Sequence, residues 1–215
     1  MKLYFVRHGK TLWNLEGRFQ GANGDSPLLE SSKDDLRQLA RELRDISFDA
    51  IYSSDLKRAV DTARIIVDEA NCKTDISYTK QLREWNLGTL EGTKIATVSA
   101  IYPSQMSAFY HNLAKFKPSQ FKAESLYETT QRLYQLIKSL EDKTYQQVLM
   151  VGHGAHLTAS IRALLGFEPA MLRAQGGLDN ASLTIIETLD FKHFHCLRWN
   201  DTSFLQKKAT RVTPY

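Results

Sequence analysis

Two histidine–glycine pairs, in YFVRHG at residues 4–9 and LMVGHG at 149–154, each directly follow a short apolar run that reads as a buried strand. In an open α/β sheet, ligands bind in the crevice at the carboxyl ends of parallel strands. His8 and His153 are therefore expected to project into one crevice from neighbouring strands, although far apart in sequence. Gly9 and Gly154 let the backbone turn sharply there and let a ligand approach it closely. One such pair marks a turn more often than a reaction; two of them, one preceded by Arg7, point to a site.

SSDLKRAVDTA (53–63) places Arg58 in the first turns of a helix that begins beside a strand end. A helix N-terminus already offers unpaired N–H groups and positive potential to an anion, and basic residues are favoured at the opposite end. Arg58 thus reads as an anion ligand, whereas Lys57 reads as a solvated surface residue. In LREWNLGTLEG (82–92), Glu84 lies near Trp85 and Leu87. Apolar surroundings favour a neutral carboxyl group, which a general acid working near neutrality requires. Glu91 competes for the same role.

The elements that must position these groups follow an alternating pattern. Leu3–Val6, Asp49–Ser53, Gln147–Val151, Ser182–Glu187 and Phe194–Trp199 read as strands. Asp34–Asp45 carries a helical stripe at Leu36, Leu39, Ala40 and Leu43. A second helix, with Ser54 as its expected N-cap, has its stripe at Leu56, Ala59, Val60, Ala63 and Val67, and a third spans Leu157–Leu165. Residues 93–125 break this rhythm; they hold Tyr102, Phe109, Tyr110, Phe116 and Phe121, with Pro103 and Pro118, and no strand pattern. The expected fold is α/β: a three-layer α/β/α sandwich around a mostly parallel sheet with one antiparallel strand. It forms a single domain over residues 1–215, with 93–125 as a small helical cap insertion.

The chain has 215 residues, 42% of them hydrophobic and 24% charged, with a formal net charge of +4 and two cysteines. That composition fits a globular domain able to bury a core and excludes a disulfide framework. The cations are spread along the chain without the basic stripe of a nucleic-acid binder. The apolar run at Leu3–Val6 is too short for a signal-peptide core, and no segment is long enough to span a bilayer. The expectations are a cytoplasmic protein with neither nucleic acid nor membrane as partner, a small anionic ligand, and a homodimer left open.

RHGKTLWN (7–14), GRFQG (17–21), SSDLKRAVDTA, LREWNLGTLEG and VGHG (151–154) together resemble the motifs of the histidine phosphatase superfamily, its phosphoglycerate-mutase-like branch. They occur in the family's order from Leu3 to about Glu187, and five in order make a specific match. The resemblance implies His8 as a nucleophile that is transiently phosphorylated, Arg7, Arg58 and His153 as the phosphate pocket, and Glu84 as proton donor. It implies substrate contacts from Thr11, Asn14, Gln20, Gly21 and Gly154, with no cofactor and no metal.

The chemistry is consistent with those roles. Phosphoryl transfer spreads charge over three equatorial oxygens, so catalysis rests on positioning and electrostatics. Two guanidiniums can grip those oxygens bidentately and supply the charge that Mg²⁺ supplies elsewhere. His8 must be neutral at its attacking nitrogen, while His153 is better used protonated, as a donor to phosphoryl oxygens.

Some positions depart from the pattern. Lys10 stands where the family more often has an acidic or amide residue and is expected to face solvent. Ser32 replaces a frequent Gly, and His156 is an extra, structural histidine. His193 and His195 would share a strand face but lack a third metal ligand. Family mutases carry a longer excursion with basic residues for a second anion; here its cations are Lys94, Lys115, Lys117 and Lys122, and KAESLYETTQRL (122–133) resembles the phosphatase members. The expected activity is a phosphomonoesterase acting on a small phosphorylated metabolite, with specificity set by residues 93–122. The alternatives are a phosphoglycerate or sugar-phosphate mutase, and a non-catalytic phospholigand-binding protein.

Overall fold

The computed structural model describes residues 1–205; the last part of the expected domain, 206–215, lies outside the described residues. In chain order the elements are β1 (Lys2–Arg7), α1 (Leu12–Leu15), α2 (Glu30–Leu43), β2 (Ala50–Ser54), α3 (Lys57–Ala70), β3 (Ile76–Thr79), α4 (Ile95–Ile101), α5 (Pro103–His111), α6 (Leu126–Lys138), β4 (Gln147–Gly152), α7 (Gly154–Leu164), β5 (Leu183–Glu187) and β6 (His195–Asp201).

The strands form one sheet in the order β3-β2-β4-β1-β5-β6. β3, β2, β4 and β1 pair in parallel, and β5 is antiparallel to both β1 and β6, so it alone runs against the rest. The alternation of β1 explains the layers. Tyr4 and Val6 pack with Leu36, Leu39 and Leu43 of α2 and Ala59, Ala63 and Ile66 of α3. Leu3 and Phe5 face the other way, toward Leu133 and Ile137 of α6 and Leu157 and Ile161 of α7. Both faces are covered, as a parallel sheet of uniformly apolar strands requires. A third apolar cluster sits above the sheet, where Trp85, Leu113, Phe116 and Phe121 surround Phe109 of α5.

The differences from the sequence reading are local. β3 was not expected: its ISYT stretch is only half buried and lies at the sheet edge, so it lacks the apolar run of the inner strands. Ser54 does not cap α3. It ends β2, and Leu56, with no side-chain hydrogen bond, occupies the N-cap. The buried face of α3 is rotated from the expected stripe and includes Arg58, Thr62 and Ile66. α7 begins at Gly154, earlier than expected, immediately after His153. His193 lies in the turn before β6, where its Nδ1 is 2.6 Å from Asp190 Oδ2, so His193 and His195 do not alternate in one strand. None of the described helices is long and apolar enough to cross a membrane.

Candidate active site

Strand register brings the two histidines together. Arg7 pairs with Gly152 across β1 and β4, and the His8 N–H donates to the Gly152 carbonyl at 3.0 Å. The residues after these positions, His8 and His153, then leave the sheet side by side, with ring centroids 5.1 Å apart. Both are buried. His8 lines a cavity of about 340 Å³ over the carboxyl ends of the strands, together with Arg7, Asn14, Gln20, Glu84 and Gly154.

The protonation of His8 follows from its partner. Its Nδ1 lies 2.7 Å from the Gly9 carbonyl, which can only accept, so Nδ1 carries the proton and Nε2 keeps a free lone pair. Burial, with help from the Arg58 and Arg7 guanidiniums, holds the ring well below the usual histidine range. Asn180, absent from the sequence reading, donates to the His8 carbonyl at 3.0 Å and to Asn14 Oδ1 at 3.3 Å, fixing the turn that carries the ring. Ser32 braces the same turn by accepting from the Lys10 N–H, while the Lys10 side chain is exposed.

His153 departs from the expected protonated donor. Arg58 Nε donates to its Nδ1 at 3.1 Å; a guanidinium cannot accept, so this nitrogen is unprotonated, and Nε2 donates to Ser54 Oγ at 2.8 Å. Burial, reinforced by Arg58, keeps the ring neutral. Arg58 is likewise committed to protein: it donates to the carbonyls of Gly24 and Gly21 and to Asp25 at 3.1 Å. Neither residue lines the cavity. Arg58 thereby holds the 21–25 loop, and His153 lies beside the His8 ring.

Glu84 reaches the cavity, but its surroundings are not the apolar ones expected. Oε1 accepts from the N–H groups of Trp85 (2.8 Å) and His156 (2.7 Å), and Oε2 from that of Ala155 (3.0 Å). The carboxyl group therefore sits on the first turn of α7 and takes up N–H groups that the helix leaves unpaired. With one N–H on Oε2 against two on Oε1, Oε2 is the oxygen with room for a proton. Arg132 of α6 holds the segment below it by donating to the carbonyls of Arg83 (2.9 Å) and Glu84 (3.3 Å) while paired with Glu124. Arg132 was not singled out in the sequence, although it lies in the KAESLYETTQRL stretch.

The remaining expected contacts divide. Asn14, Gln20 and Gly154 line the cavity. Thr11 does not: it is fully buried, caps α1 and donates to Gln20 Oε1 at 2.8 Å. Gly21 does not either, because its carbonyl accepts from Arg58. Glu91, the competitor for the acid role, instead accepts from the N–H groups of Ala22, Asn23 and Leu87, tying the same loop down. The cavity also holds Arg18 of GRFQG and Tyr110 of the aromatic-rich stretch, together with Asp179 and Arg173, which lie in none of the motifs.

A family model described as Histidine phosphatase superfamily (branch 1) matches residues 3–202. A probable phosphoglycerate mutase GpmB from Erwinia tasmaniensis is 32% identical over 188 residues, 87% of this chain and 85% of that protein. Among solved structures, Bacillus stearothermophilus YhfR superposes with a TM-score of 0.84 at 30% identity, covering 94% of this chain and 98% of that one. A mycobacterial glucosyl-3-phosphoglycerate phosphatase in complex with VO3 gives 0.81 at 29% identity, with coverage of 93% and 98%.

Proposed function

This chain belongs to the histidine phosphatase superfamily (branch 1), and on that premise we propose that it is a metal-independent phosphomonoesterase for a small phosphorylated metabolite. The observation that carries the reading is a neutral, buried His8 whose free Nε2 shares one cavity with the Glu84 carboxyl group and the Arg7 guanidinium.

In the first half-reaction Nε2 of His8 attacks phosphorus, the bond from phosphorus to the ester oxygen breaks, and Glu84 protonates the departing alkoxide. In the second, water attacks the phosphohistidine, Glu84 takes its proton, and the phosphorus–nitrogen bond breaks to release orthophosphate. Arg7 supplies positive charge to the equatorial oxygens. Its Nη1 donates to the Leu178 carbonyl, and its Nε has no partner among the described residues, leaving a donor for an incoming anion.

The expected result is turnover of p-nitrophenyl phosphate in the presence of EDTA. Loss of turnover on chelation would remove the metal-independent reading. The relatives named phosphoglycerate mutase support a second reading, in which the phosphoryl group returns to the substrate. Interconversion of phosphoglycerates that requires a bisphosphate primer, with hydrolysis only a slow side reaction, would select it. The cap favours hydrolysis: it reaches the end of its last 3-10 turn by Phe121 and lacks a paired-arginine element.

Gly154 gives a sharper check. A Cβ there would lie 2.9 Å from Arg7 Nε and 3.0 Å from its Cζ. Gly154→Ala is expected to push the guanidinium off its position and lower kcat/KM by roughly a hundredfold, the scale of a misplacement of about 1 Å. Steady-state kinetics alongside thermal melting tests this. Unchanged kinetics in a folded variant would show that Arg7 does not grip the reacting group.

A further inference from the structure

We propose that Arg173 is the specificity-determining contact for a second anionic group on the substrate, a carboxylate or a second phosphate, held in the same cavity as the ester attacked by His8. The proposal rests on the phosphomonoesterase reading and names the substrate class that goes with it.

Arg173 lines the His8 cavity and is only 8% exposed. Its Nε and Nη1 have no hydrogen-bond partner among the described residues. A buried guanidinium normally has acceptors, because an unpaired buried charge is costly. Each of the other arginines at or near the site has at least one acceptor. Arg58 donates to two carbonyls, Asp25 and His153; Arg18 to Glu16 and the Gly92 carbonyl; and Arg7 to the Leu178 carbonyl. Arg173 has only aromatic faces, with its guanidinium carbon 4.4 Å from the centre of the Phe109 ring and 5.2 Å from that of Tyr110. Stacking of this kind fixes the plane of the fork and leaves its N–H edges for a ligand.

The carboxylates of the cavity are not its missing partners. Glu84 already accepts three backbone N–H groups, and Asp179 accepts from Asn200 at 2.9 Å. Burial lowers the Arg173 pKa to about 10, so the group stays charged at neutral pH.

The segment that presents Arg173 is held in place. Arg162 of α7, stacked on Trp199 at 4.5 Å, donates to the carbonyls of Leu172 (3.0 Å) and Gly176 (3.3 Å), and Thr158 accepts from the Leu178 N–H at 3.1 Å. A fork held rigidly on two rings and bordering the nucleophile's cavity suits a planar or tetrahedral anion on the substrate's non-reacting end.

The test compares wild type, Arg173→Gln and Arg173→Lys on p-nitrophenyl phosphate, which has no second anion, on 3-phosphoglycerate, and on fructose 1,6-bisphosphate. Loss of a charged hydrogen-bond donor should raise KM for at least one anion-bearing ester about tenfold to a hundredfold more than for p-nitrophenyl phosphate. Arg173→Lys should recover part of that loss. Which of the two esters responds distinguishes a carboxylate from a phosphate.

An equal loss on all three esters, or none on any, overturns the proposal: the first places Arg173 at the shared phosphoryl group or in the fold, the second makes it inert. If the wild type hydrolyses no ester, the phosphomonoesterase reading fails by itself. Calorimetric binding of 3-phosphoglycerate, fructose 1,6-bisphosphate and inorganic phosphate to wild type and Arg173→Gln then decides the question for Arg173. Selective weakening of either organic anion supports the contact, and equal affinities overturn it.

Discussion

Replacing His8 by alanine is expected to lower kcat/KM on p-nitrophenyl phosphate by at least about ten-thousandfold, the scale seen when a covalent nucleophile is removed. It should also abolish the acid-labile phosphate that brief mixing of the wild type with substrate leaves on the protein. The size of the effect follows from the lack of a substitute. The neighbouring imidazole, His153, has its Nδ1 occupied by Arg58 and its Nε2 by Ser54, so it offers no free lone pair. Asp179 lies in the cavity but is bound to Asn200. Without His8, only direct attack by water on an anion held by Arg7 remains.

His153→Ala should cost far less, about a hundredfold, because that ring acts by fixing Arg58 and touches no reacting atom. Quenched-flow labelling followed by acid and base treatment reads the intermediate directly. A His8→Ala variant that keeps more than one hundredth of the activity would remove His8 as the nucleophile, and a wild type that neither turns over the ester nor holds acid-labile phosphate would reduce the site to one that only binds phosphorylated ligands.

How much of this could be read from the chain depends on what each residue needs around it. β1 and β4 lie inside the sheet and are covered on both faces, so their sequences carry unbroken apolar runs, and the two His-Gly pairs mark their ends. The crevice was legible for that reason. β3 was not: an edge strand with mixed exposure carries no such run. Arg58 stood out for its position at a helix start, but which acceptors its donors meet depends on the path of residues 21–25, and no spacing rule encodes that path.

Arg173 was silent for a stronger reason. It lies in the irregular segment between α7 and β5, where neither period nor cap constrains the residue type. Its meaning comes from Phe109 and Tyr110, which are more than sixty residues earlier, and from the hold of Arg162 on the intervening carbonyls. The aromatic cap was visible as composition. That one of its rings forms the bed for a buried cation was not.

Stability should fall below neutral pH, by at most about 4 kcal/mol between pH 7.5 and pH 5.5 at 25 °C, because three histidines are buried uncharged. Burial is the main cause for all three. Arg58 and Arg7 add to it at His8, Arg58 at His153, and Arg132 at His156, where a weak backbone interaction with Thr129 opposes the shift without reversing it. Each folded-state pKa lies well below the unfolded value near 6.5, so between the two the unfolded chain binds a proton that the folded chain refuses. The stabilisation is thus complete above the unfolded pKa and is lost as pH falls toward the folded one, at no more than about 1.4 kcal/mol per pH unit for each histidine. Against a total stability of roughly 5–15 kcal/mol for a native domain, the loss is a large fraction.

His156 separates this effect from catalysis. It is fully buried, neither ring nitrogen makes a hydrogen bond among the described residues, and its side chain is outside the His8 cavity. His156→Leu should remove about one third of the pH dependence while the other two thirds persist. Urea unfolding of both proteins at pH 7.5, 6.5 and 5.5 measures the slopes independently of any offset in absolute stability. A wild-type stability that stays flat over this interval would mean that the three imidazoles take up protons in the folded state. The neutral nucleophile required for attack on phosphorus would then be lost with them, so the pH profile of stability and the identity of the reacting nitrogen rest on the same burial.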